Sequence, residues 1–164
     1  MKLSTRTIWG IVFVVLFGAL LIWSAQAKKS KEARVGQESS RDVALSCTTD
    51  MATQFHIHPK LSIIIDGATQ AIPENIGVKN NCMNPLHTHD ASGMIHVESP
   101  VQKDFTLGDF FAVWGKTFSK DQILDTVVTT PAKLTVRVNG TSVDTYENTI
   151  MNDKNQIEIE YKKN

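Results

Sequence analysis

The five histidines of the chain, His56, His58, His87, His89 and His96, all fall between positions 56 and 96. Imidazole carries a neutral nitrogen lone pair near physiological pH and is a common ligand for zinc and copper. Their spacing adds to the clustering. Residues i and i+2 of a strand point to one face, so His56 with His58, and His87 with His89, form two same-face pairs. Ala91-Ser92-Gly93 is a turn signal. It makes PLHTHD and MIHVES the two arms of a hairpin, with His96 opposite or diagonal to the first arm and within reach of its pair. Asp90 and Glu98 supply carboxylates, as oxygen ligands or as acceptors that orient a ring N–H. Met51, Met83 and Met94 add soft sulfur donors nearby, which tilts a choice between copper and zinc towards copper. One His-x-His pair means little by itself. Two pairs and a fifth histidine in one window point to a metal site. The competing reading is a hydrogen-bonded histidine cluster that tunes the pH response of a protein-interaction module.

Other chemistries fit less well. Cys47 and Cys82 are the two cysteines, and an even pair in an exported domain favours a disulfide. Were Cys82 a thiolate instead, Cys82, His87 and Met94 would follow the ligand order of a blue-copper loop. The gap from His87 to Met94 is long for that design, and the loop lies far from the C-terminus. A cupin also uses an HxH pair, a carboxylate and a further histidine, but Glu98 follows His89 at too great a distance and no second glycine-framed motif appears. A hydrolytic zinc enzyme needs three ligands, an open position and a base. His87, His89 and His96, with His56 or His58, supply ligands for it and Asp90 or Glu98 a base, but nothing marks a substrate pocket. Phosphate loops, nucleophile elbows and CxxC pairs are missing. The 17 basic and 17 acidic residues cancel, and no basic stripe with interleaved aromatics appears, so nucleic acid is not an expected partner.

The elements that must position these residues are short. Residues 1–27 read as a membrane anchor or signal peptide: Lys2 and Arg6 precede the apolar run Ile8 to Trp23. Trp9 and Trp23 near its ends suit interfacial anchors, and Ala25-Gln26-Ala27 suits a signal-peptidase site. The uncleaved single-pass anchor is the preferred reading, and secretion after cleavage behind Ala27 is its alternative. Either places the histidines outside the cytoplasm, and the anchored form places them beside the membrane and any membrane-protein partner. Residues 28–42 read as a polar linker and 43–164 as the histidine-cluster domain, opening with a short helical or irregular segment around Cys47. Ile57 to Ile65 reads as a strand, Asp66-Gly67 as a hairpin turn and Ala68 to Ile72 as the return. Glu74 to Cys82 reads as a loop. Thr106 is an expected helix N-cap and Gly115 a C-cap, with Leu107, Phe110, Phe111 and Trp114 forming a core-facing stripe. Ser119 to Leu124 reads as a second short helix. Lys133 to Val138, the Asn139-Gly140 turn and Thr141 to Tyr146 form another hairpin, and Gln156 to Tyr161 alternates as a last strand. LSIIIDGATQAIPEN and LTVRVNGTSVDTYEN align at constant offset, a faint internal repeat whose second copy has no histidine. The expected fold is α+β: mainly antiparallel hairpins with one packed helix, β-grasp-like or a small sandwich, behind an N-terminal apolar helix.

From His56 to Gly115, the motifs HIHPKLSIIIDG, IPENIGV, LHTHDASGMIHVESP and FTLGDFFAVWG follow in order. This stretch resembles an uncharacterised archaeal and bacterial family of exported or membrane-anchored histidine-rich domains. The resemblance implies a small extracytoplasmic domain with a metal-binding histidine cluster, and it brings no reaction with it. Together these readings lead to an extracytoplasmic copper- or zinc-binding protein with a non-catalytic capture, delivery or accessory role. A small metal-dependent enzyme is the alternative.

Overall fold

The computed structural model of the chain describes residues 16–30, 37–49 and 53–163. It divides into two compact units, Met1–Gln37 and Glu38–Asn164. In the first, residues 16–30 are helical (α1) and expose the side chains of Leu16, Phe17, Leu20, Leu21, Ile22 and Trp23. No helix among the described residues is long and apolar enough to cross a membrane. The first half of the apolar run, 8–15, lies outside the described residues, as do 31–36 of the expected linker and Met51.

The second unit opens with α2 (Ser40–Leu45), capped by the Ser39 side chain, which accepts from the Asp42 N–H. Strands β1 (Phe55–Ile57), β2 (Lys60–Ile65), β3 (Ala68–Thr69), β4 (Val78–Lys79), β5 (Cys82–Met83), β6 (Leu86–His87) and β7 (His96–Ser99) follow. Helix α3 (Leu107–Trp114) separates them from β8 (Phe118–Ser119), β9 (Gln122–Ile123), β10 (Thr126–Val127), β11 (Lys133–Val138), β12 (Thr141–Val143) and β13 (Gln156–Lys162). The class is the expected α+β with mostly antiparallel strands, in several sheets.

The largest sheet has the order β12-β11-β13-β2-β3. Alternation along its strands buries Leu61, Ile63, Leu134, Val136, Ile157, Ile159 and Tyr161 on one face. Each such side chain contributes roughly 1.5–3 kcal/mol of apolar burial. On the other face Arg137 bridges Glu158 and Glu160 at 2.7 and 2.9 Å, a solvated charge ladder that holds the arginine's pKa above its usual value. β13 pairs with β2 in parallel, an arrangement that local hairpin signals do not announce.

Helix α3 has the caps its sequence indicates. Thr106 and Asp109 form a reciprocal capping box, and Gly115 ends the helix at φ 70°. Leu107, Phe110 and Phe111 are buried, so these residues of the stripe are core, while Trp114 is half-buried.

Three sequence expectations are corrected. Ile57 to Ile65 is two strands, because Pro59 has no N–H to give a ladder and the chain changes sheets there. Ser119 to Leu124 is not a helix: Phe118 pairs with Ile123 across a tight turn, and the Ser119 hydroxyl accepts from the Asp121 N–H, 3.2 Å away. Within the expected 74–82 loop, β4 turns back onto β5.

Candidate metal centre

The site lies on a second sheet of three antiparallel strands in the order β1-β7-β6. Its register decides which side chains meet. His56 lies opposite Glu98, and His87 lies opposite His96. Directly opposed residues of an antiparallel pair share a face, so these four side chains form a square on one surface. Val97 and Ser99 point the other way and are buried. His58 and His89 follow their partners two residues on and join the cluster. His96 is central: its ring centroid lies 6.1, 4.7, 5.4 and 4.6 Å from those of His56, His58, His87 and His89.

The expected hairpin is looser than a turn. Only His87 and Leu86 pair with His96 and Val97, and the chain between them is held from outside. Thr88, between the two histidines of HTH, is fully buried and points away from them. Its hydroxyl donates to the Pro73 carbonyl and accepts from the Ile76 N–H. Its N–H and carbonyl also bond, to Ile76 and Asn75. Gly93 sits at φ 81° with its carbonyl accepting from the Leu61 N–H. A Cβ there would collide with the Leu61 carbonyl, so only glycine allows this approach.

The hydrogen bonds determine what the rings offer. His87 Nδ1 lies 3.0 Å from the Asn84 carbonyl. A carbonyl only accepts, so Nδ1 carries the proton and Nε2 carries the bare lone pair. That Nε2 is 3.2 Å from His89 Nε2 and 4.0 Å from Glu98 Oε1. His96 Nδ1 is buried with no hydrogen-bond partner, 3.9 Å from Glu98 Oε1. An orphaned buried nitrogen of this kind costs about 1–3 kcal/mol. The ligand atoms of His87, His89, His96 and Glu98 all lie within 4.8 Å of one another, and so do those of His56, His58 and His96. Burial is the leading cause that lowers the pKa of His87 and of His96, and neighbouring histidines add to it while Glu98 opposes. Both rings are therefore kept neutral, the form that ligates.

Of the other sequence candidates, Asp90 is an exposed turn residue. Its carboxylate accepts from the Ser92 N–H at 2.8 Å, and hydrogen bonding to Ser92 lowers its pKa. It belongs to neither donor set. Met94 is half-buried and donates its N–H to the Ser92 hydroxyl. Cys47 and Cys82 are joined in a disulfide, which removes the thiolate and with it the blue-copper arrangement. Two residues escaped sequence reasoning. Asn84 orients His87 through its carbonyl and ties the site to α2 by donating its side-chain N–H groups to the Ala44 and Ser46 carbonyls. Asp153 accepts from the His58 N–H at 3.0 Å. A main-chain acceptor leaves no signature in residue type, so nothing in the sequence marks Asn84.

Four donors of this kind suit a borderline metal ion. A tetrahedral zinc with Zn–N bonds of about 2.0–2.1 Å holds its ligand atoms about 3.3 Å apart. The His87–His89 nitrogen separation of 3.2 Å already matches it. Comparison with family profiles, with curated proteins and with solved structures finds no match to this chain.

Proposed function

We propose that the chain is a non-catalytic metal-binding protein, held outside the cytoplasm by an N-terminal membrane anchor. It captures or delivers copper or zinc, or serves as an accessory part of a membrane metalloenzyme. The carrying observation is the unprotonated Nε2 of His87, in hydrogen-bond contact with His89 Nε2, with the orphaned His96 Nδ1 and Glu98 completing the set. Neutral imidazoles and one carboxylate would hold the ion, and Asn84 would orient the innermost ring. The disulfide favours an oxidising compartment, and the exposed apolar side chains of α1 favour a lipid-facing N-terminus.

The test is elemental mass spectrometry of the full chain, produced in an oxidising compartment and offered copper and zinc in competition. Near one equivalent of one metal is expected, lost when His87 and His89 are both changed to alanine while circular dichroism stays native. No metal under either condition would sink the reading and leave a hydrogen-bonded polar cluster.

A further inference from the structure

The two donor sets share one ring, and only one of them reaches a fully buried ligand. That inner set contains His87, whose side chain is fully buried, Glu98, 17% exposed, and the exposed His89. In the outer set His56 is 45% exposed, His58 is half-buried and no member is fully covered. His96 belongs to both. We propose that His56, His58 and His96 form a landing site that takes the ion from solution and passes it to His87, His89 and Glu98, with His96 a ligand in both positions. The inference rests on the metal-binding reading above and adds a route to it.

Three observations support a route over a pair of simultaneously filled sites. Glu98 is the only carboxylate in either set. Two adjacent dications would repel about fourfold more strongly than two unit charges at the same separation, and one carboxylate does not offset that. Glu98 Oε1 also stands between the sets, 3.2 Å from His56 Nε2 and 4.0 Å from His87 Nε2, where it draws a cation inward. Finally, His96 has ring contacts to all four other histidines and is a member of both sets, so one ring adjoins the ion at both ends of the path. The outer pair is positioned for this: β1 holds His56 opposite Glu98, and Asp153 fixes the backbone of His58.

The experiment is stopped-flow absorption with Co²⁺ on the full chain and on His58→Ala, His56→Ala and His89→Ala, each checked for fold by circular dichroism. The wild type should take one equivalent in two phases. His58→Ala should keep the equivalent and an affinity within about threefold, while loading slows about tenfold and chelator-driven release slows by the same factor. His56→Ala should slow loading likewise. His89→Ala should keep the fast phase and lose the slow one. Loading of His58→Ala at the wild-type rate would overturn the route, and so would loss of its equivalent. Two equivalents in the wild type falling to one in His58→Ala would also overturn it, in favour of a two-ion centre. A wild type that takes no Co²⁺ would instead bring down the metal reading itself.

Discussion

At the scale of single residues, the site works by keeping buried imidazoles neutral, with His96 Nδ1 left without a hydrogen-bond partner. Burial lowers the pKa of His87 and His96, so the unfolded chain takes up protons near pH 6.5 where the fold does not. Stability contributed by these rings is therefore fully present above about pH 6.5 and is lost as pH falls from there towards their lower folded values. The urea midpoint of the metal-free chain should fall between about pH 7.5 and pH 5.5, a window above most carboxylate titration. His87→Gln should flatten that fall, and an equal slope in wild type and variant would show that His87 is not its source. Glu98 is the residue whose charge matters most. Glu98→Gln keeps the shape and removes the only carboxylate of the donor sets, so metal affinity should drop tenfold or more, measured by competition with a chelator. At this scale the sequence was most legible. Histidines at i and i+2 with a fifth beyond a turn were enough to assemble the cluster, because β-strand alternation is a property of spacing alone. Asp90 closes a turn on Ser92, a role that a carboxylate beside a histidine does not announce in the sequence.

At the scale of elements, the site depends on a chain segment held by its neighbours more than by its own pairing. Gly93 and Gly67 make the point together. Both have positive φ, 81° and 82°, but a Cβ at Gly67 meets open space and one at Gly93 meets the Leu61 carbonyl. Gly67→Ala should cost about 1–2 kcal/mol of backbone strain. Gly93→Ala should cost about 3 kcal/mol or more, since it adds displacement of the β2 contact to similar strain. Thermal unfolding of both variants measures the difference, and equal losses would mean that the docking on β2 contributes nothing. The caps of α3 were readable because Thr106, Asp109 and Gly115 act within one turn of the helix. The SKDQIL segment was misread because its decisive contact, Phe118 against Ile123, is a strand pair too short to show a period. Pro59 could have warned that Ile57 to Ile65 breaks, since it interrupts any ladder that its N–H should join.

At the scale of the whole second unit, two hairpins flank β13 in the large sheet, β2 with β3 on one side and β11 with β12 on the other. Their turns, Asp66-Gly67 and Asn139-Gly140, share positive φ at both positions, which accounts for the aligned glycines of the faint repeat. One hairpin runs parallel to β13 and the other antiparallel, a choice made by long-range packing that no local motif records. The histidine sheet is attached to this frame by Gly93 and by the Ile95 N–H on the Pro59 carbonyl, while the disulfide ties the segment after α2 to β5. The bridge joins residues 35 apart, which in a chain-entropy account contributes about 3–4 kcal/mol. Its position gives it a second consequence. Cys82 lies two residues before Asn84, whose side chain holds the Ala44 and Ser46 carbonyls beside Cys47 and whose own carbonyl orients His87. Changing Cys47 and Cys82 to serine together should therefore lower the urea midpoint and also weaken metal binding about tenfold, the usual consequence of loosening a group that orients a ligand. A midpoint that falls while the chelator-competition affinity stays at the wild-type value would separate the two effects. It would show that Asn84, Thr88 and the β6–β7 register aim His87 at its neighbours without the disulfide.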